Sequence, residues 1–216
     1  MALPATHIRF AATAADRLGV TDMGAYLSGT LYPDSRWVTG IDRRRTHAPR
    51  CLDPDFASDD FTLGWHMHCL CDRMQGDIHA ELLEDLPELT PEARWVRTSA
   101  AKVVQDMTDA ARGGIGGHLP LLTQARSPNG ESGGRVAAYL GMVRRAYRKG
   151  TPDWSDYVRL WTDVGLDRLR VDRIRQQVRA IMVDEALVDA LHGVFDRMAR
   201  EWSDRRAATG HGRRPS

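Results

Sequence analysis

"FTLGWHMHCLCDRMQGDIHAE", residues 61–81, carries three of the chain's eight histidines and two of its three cysteines. Ser58, followed by Asp59 and Asp60, opens a long helix expected to run to about Leu86. A short hydroxyl side chain suits the cap, and the acids suit the positive end. At ~100° per residue, His68 and Asp72 share one face about a turn apart. His79, eleven residues past His68, returns to that face about three turns on. His66 points roughly the opposite way. Gly64, one turn before His68, leaves room on that face for something to approach.

The rest of the chain reads in the same way. Strand signals are scarce, while helical periodicity and caps are common. A first helix is expected over 5–18, ending at Gly19, and a second from a Thr21 cap to Leu31, stopped by Pro33. Residues 33–57 read as irregular, with Pro33, Gly40, Pro49 and Pro54, and a loop of that length is often functional. Thr90-Pro91 caps a helix to about Ala111. Further helices are expected over about 134–148, 152–164 and 167–204, the last broken once. The expected fold is an all-α, single-domain multi-helix bundle over 1–205, with 206–216 a disordered, mildly basic tail.

Composition narrows the function. The 216 residues carry a net charge of +1, so no nucleic-acid partner is expected from charge and nothing demands an anionic membrane. Three cysteines do not make a complete disulfide framework, and Cys69-x-Cys71 lacks the two-residue gap of a zinc knuckle. "MALPATHIRF" lacks a signal peptide's basic and apolar regions, and no stretch has the length of a transmembrane span. A cytoplasmic location is therefore expected.

A His-x-x-x-Asp pair on one helix can form half of a metal site, and such pairs also arise as hydrogen-bonded surface or core pairs. Other candidates come from elsewhere: His7 early in the first helix, Asp34 after Pro33, and His47 after the basic run Arg43, Arg44 and Arg45. Each alone has an ordinary structural explanation, as a cap, a turn residue or a hydrogen-bonded histidine. Lys102 and Asp106 can form a surface i,i+4 pair, or Lys102 can face a substrate phosphate. An arginine of the basic run, Arg44 or Arg45, can clamp an anion, and His79 can line the cleft. Cys71 reads as a buried structural cysteine, and Trp65 and Trp95 as core.

Together, "PATHIRFA", "LSGTLYPDSRW", "RTH" and "LGWHMHCLCDRM" resemble the bacterial zinc-dependent phospholipase C domain, related to the P1-type nucleases. The matching pieces lie in order over residues 4–74, about a third of the chain. They are His7, Gly29 with Pro33 and Asp34, His47, and Gly64 with His68 and Asp72. The resemblance implies a phospholipase C/P1 nuclease type of helical fold. It implies that Asp34, His47, His68 and Asp72 form one metal site, and that His7 and Asp72 contribute to a neighbouring ion. One to three Zn²⁺ ions are then expected, and the donor set also suits Mn²⁺ or Fe²⁺. The expected activity is hydrolysis of a small-molecule or lipid phosphoester by a metal-activated water, with Asp34 also a candidate general base.

The chain departs from the family pattern after Asp72. Ile78 stands where the family has a histidine, with His79 one residue late, and His118 does not begin the later His-x-x-x-Glu. His192 and Asp196 form a His-x-x-x-Asp much later. A phosphohydrolase of the HD type is disfavoured, because no His-Asp dipeptide occurs. The alternative is a non-catalytic helical module with a structural metal, binding a protein partner.

Overall fold

The computed structural model describes residues 3–83 and 89–209, and among these there is no strand. The helices are α1 Pro4–Leu18, α2 Met23–Leu31, α3 Arg36–Thr39, α4 Arg43–Thr46 and α5 Asp60–Leu82, followed by α6 Pro91–Arg112, α7 Gly133–Ala146, α8 Trp154–Asp163, α9 Arg168–Met182 and α10 Glu185–Thr209. The all-α expectation holds.

Most boundaries follow from caps. Gly19 ends α1 in the left-handed conformation, φ 67°. Asp22, not Thr21, caps α2, accepting from the Ala25 amide at 2.9 Å. Thr21 and Asp22 instead donate to the Asp60 carboxylate, tying the start of α2 to that of α5. The α5 cap is Asp59 rather than Ser58, in a reciprocal box with Thr62. The expected end of α5 near Leu86 lies outside the described residues. Thr90 caps α6 as expected. The irregular stretch 33–57 is a chain of short helical turns, three of which carry a proline in their first two positions. The break in the last long helix falls at Val183–Asp184, and α10 continues to Thr209. Residues 206–209 of the expected tail are thus helical, and 210–216 lie outside the described residues.

Helix α5 is central, packed by α1, α2 and α10, while α6 packs on α1, α9 and α10. The α2–α5 crossing is made by two glycines. A Cβ on Gly29 would lie 2.0 Å from the Phe61 carbonyl oxygen, and one on Gly64 would lie 1.9 Å from that of Tyr26. Only hydrogens fit there, so the two backbones touch. The room left by Gly64 is taken by α2.

The start of α1 is held to α6 by a buried polar network. Asp106 accepts from the Thr6 amide at 3.0 Å and from the hydroxyls of Tyr147 and Tyr157 at 2.6 and 2.7 Å. Asp109 accepts from the Thr6 hydroxyl at 2.8 Å and from Arg9 at 2.6 Å. Burial outweighs the hydrogen bonds and pushes the Asp106 pKa up to about 6 from 3.8. The folded protein therefore keeps a proton that the unfolded chain releases near pH 4. That contribution is complete below the unfolded pKa and is lost as pH rises to about 6. Relative to Asp106→Asn, the wild type should lose on the order of 3 kcal/mol between pH 4 and 6 and then level off. Urea melts of both proteins at each pH check this, and a pH-independent difference would refute it.

Candidate metal centre

Four elements bring their polar side chains together beside α5. His68 and Asp72 come from α5 itself, His7 from the first turn of α1, Asp34 from the turn after α2, and His47 from the end of α4. Lys102 reaches in from α6. His68 is fully buried, Asp34 is 5 % exposed, and the Asp72 side chain is 22 % exposed.

The ligand-capable atoms are close. His47 Nε2 and His68 Nε2 are 3.2 Å apart. Asp72 Oδ2 lies 3.4 Å from His47 Nε2 and 3.9 Å from His68 Nε2. Asp72 Oδ1 lies 3.7 Å from His7 Nε2 and 3.1 Å from Lys102 Nζ. Two triads result, Asp34–His47–His68 and His7–His68–Asp72, with the donors in each within 4.8 Å of one another. Four donors around a zinc ion at about 2.1 Å stand roughly 3.4 Å apart. The closest pairs already match that spacing.

The tautomers are set from outside the cluster. His68 Nδ1 faces the Thr30 carbonyl at 2.8 Å, so it carries the proton and Nε2 presents its lone pair inward. The Gly29–Gly64 contact is what brings Thr30 this close. The Thr46 hydroxyl donates to the Arg43 carbonyl at 3.3 Å and takes His47 Nδ1–H at 2.9 Å. In that tautomer both Nε2 lone pairs face each other, an arrangement that calls for a cation. Trp65 Nε1 donates to the Thr46 carbonyl at 2.6 Å and holds the His47 turn against α5. The His7 ring stacks on His68, centroids 4.0 Å apart, and His7 Nδ1 is buried without a partner among the described residues.

Burial and the neighbouring groups hold the cluster in a ligating state. Burial lowers the pKa of His7 and takes that of His68 well down, so both are neutral. Burial alone would raise the two carboxyls. Both nonetheless sit below their ordinary values, Asp72 well below, with the Lys102 ammonium the main opposing influence at Asp72. The inward Nε2 atoms of His47 and His68 stand 3.2 Å apart with Asp72 Oδ2 3.4 Å from His47, and neutral imidazoles beside a carboxylate are donors that a divalent ion takes. On this observation the residues present fit a divalent ion.

Asp72 opens onto a cavity of about 310 Å³ lined by Arg43, His47, Ala48, Leu52, Cys69, Asp72, Arg73 and Lys102. Arg43 and Arg73 are exposed and make no ion pair among the described residues. An anion entering here meets two free guanidiniums.

The structure brings together His7, Asp34, His47, His68, Asp72 and Lys102, and leaves three candidates elsewhere. Arg44 turns back to Asp42 at 2.6 Å, and Arg45 donates to the Asn129 carbonyl at 2.9 Å. Arg43 takes the place expected of them. His79 is buried against α6, with Nε2 2.9 Å from Gln105 Oε1, and burial with Lys102 nearby pushes its pKa down to about 3. It lies outside the cavity beside Asp72. Lys102 and Asp106 do not pair: Lys102 binds Asp72, and Asp106 binds the tyrosines. His192 and Asp196 lie on α10; Asp196 is 4.0 Å from Arg9 and belongs to neither triad. Cys71 is buried in the main core, and Trp65 in a smaller one with Tyr32 and Phe61. Arg73 was not among the expected residues; its one sequence signal is its place next to Asp72.

No family model matches the chain, and neither a curated protein nor a solved structure matches it.

Proposed function

We propose that the chain is a metal-dependent phosphoester hydrolase, with zinc as the metal that best suits its donors and a fold of the phospholipase C/P1 nuclease type. One observation carries the reading. Three histidines and two aspartates converge, and one edge of the cluster opens on a cavity lined by two arginines that make no ion pair among the described residues. A closed set of donors would suit a purely structural ion; an open position suits catalysis.

Asp34, His47 and His68 would hold the ion, with Asp72 Oδ2 beside them. When bound, such an ion lowers the pKa of water and stabilises charge on a phosphoryl oxygen. The protein does the rest. Thr30 fixes the His68 tautomer. Asp34 stays ionised, which favours a ligand's role over a general base's, because a carboxylate with a lowered pKa is a weak base. Arg43 and Arg73 draw in the phosphate and orient it by bidentate hydrogen bonds. The cavity takes a compact phosphoester headgroup, whether from a soluble molecule or a lipid. No described helix is long and apolar enough to cross a membrane.

The test is elemental mass spectrometry on untagged protein, followed by assays with p-nitrophenyl phosphate and bis-p-nitrophenyl phosphate. Bound zinc and metal-dependent release of nitrophenol from either probe support the reading. Bound metal with turnover of neither leaves the structural-metal alternative. No metal after reconstitution removes both.

A further inference from the structure

The two triads share His68 but differ in what already faces them. Asp34 makes no close ion pair among the described residues, whereas Asp72 Oδ1 makes one, with the Lys102 ammonium at 3.1 Å. That oxygen is also the one nearest His7 Nε2, at 3.7 Å. Any ion bound by His7, His68 and Asp72 would have to share Asp72 Oδ1 with the ammonium, at a distance where two cations repel strongly. The Lys102 side chain is only 15 % exposed, so it cannot swing freely into water. Asp72 thus faces two ways, Oδ1 to the lysine and Oδ2 to His47 and His68.

We propose that Lys102 is the built-in cation of the second triad, so that the protein takes a single divalent ion at Asp34–His47–His68. This rests on the metal-binding reading above. The charge balance agrees. Asp34, Asp72 and Lys102 sum to −1, and one divalent ion brings the cluster to +1, which suits an anionic substrate. Lys102 also lines the cavity, so its remaining N–H groups face the substrate oxygens that a second ion would otherwise hold.

The experiment is titration calorimetry with Zn²⁺ and with Mn²⁺, checked by elemental mass spectrometry, on four proteins with circular dichroism as the fold control. Wild type and Lys102→Arg should bind one ion per chain. Lys102→Met should take up a second ion at His7 and Asp72 Oδ1, with water completing its shell because the single His68 Nε2 lone pair stays with the first ion, and adding His7→Ala should return the count to one. Two ions in the wild type would overturn the proposal and leave the metal reading standing. One ion in a folded Lys102→Met would do the same. No ion in any protein would overturn both. If Lys102→Met does not fold, the wild-type count and Lys102→Gln decide.

Discussion

His68→Ala should empty the metal centre, while His66→Ala, two residues away on the same helix, should leave it full. His68 belongs to both triads, so its loss reduces each to two donors. Removing an outer-shell partner of a ligand typically costs 10–100-fold in metal affinity. Removing the shared ligand should cost at least about 10²-fold. The variant also leaves the Thr30 carbonyl buried without its partner, a penalty of about 1–3 kcal/mol. His66 turns the other way, sets Nδ1 2.9 Å from the Cys51 carbonyl and belongs to neither triad. Its alanine variant should keep wild-type metal content and activity. Equal metal content in wild type and a folded His68→Ala would remove the site from consideration. Equal loss in both variants would point to the fold of α5 rather than to ligation.

How much of this was legible beforehand follows from which interactions are local. The His68–Asp72 pair needs only the helical repeat, and α5 forms as expected. The convergence of His7, Asp34 and His47 is not local. Periodicity cannot place three other segments beside α5, and only the resemblance put these residues together. Where the helical repeat was extrapolated further, neighbours decided. His79 does lie on the expected face, but three turns on α6 covers it and supplies Gln105. Lys102 and Asp106 are spaced for an ion pair, but each finds a better-buried partner across the core. The basic run predicts an anion clamp, but the short turn of α4 sends Arg44 to its own cap residue and leaves Arg43 facing the cavity. Gly64, in sequence, suggests space for an approaching group. The group that approaches is a whole helix, which composition cannot distinguish from a ligand.

That helix contact yields the largest expected effect on stability. In an ordinary helix interior, Gly→Ala stabilises by about 1 kcal/mol. Gly76, on the same α5, has nothing within 4 Å of where a Cβ would stand, so Gly76→Ala should show that gain. Gly64→Ala should reverse the sign. Its Cβ would meet the Tyr26 oxygen at 1.9 Å and the Thr30 nitrogen at 2.8 Å, both backbone atoms of α2 that cannot rotate aside. Overpacking a core costs about 1–3 kcal/mol when side chains can adjust, and more when they cannot, so a loss of at least ~3 kcal/mol is expected. Gly29→Ala, whose Cβ would stand 2.0 Å from the Phe61 oxygen, should match it. Urea melts of the three variants give the signs directly. Metal content gives the functional half. Pushing α2 off α5 withdraws the Thr30 carbonyl from His68 and shifts Asp34, which follows α2 directly in the chain. Any Gly64→Ala protein that stays folded should therefore bind metal at least about 10-fold more weakly, as expected for loss of an outer-shell hydrogen bond. A folded, destabilised variant with unchanged metal affinity would separate the helix crossing from the site. Wild-type stability in Gly64→Ala would mean that α2 and α5 do not meet through these glycines at all.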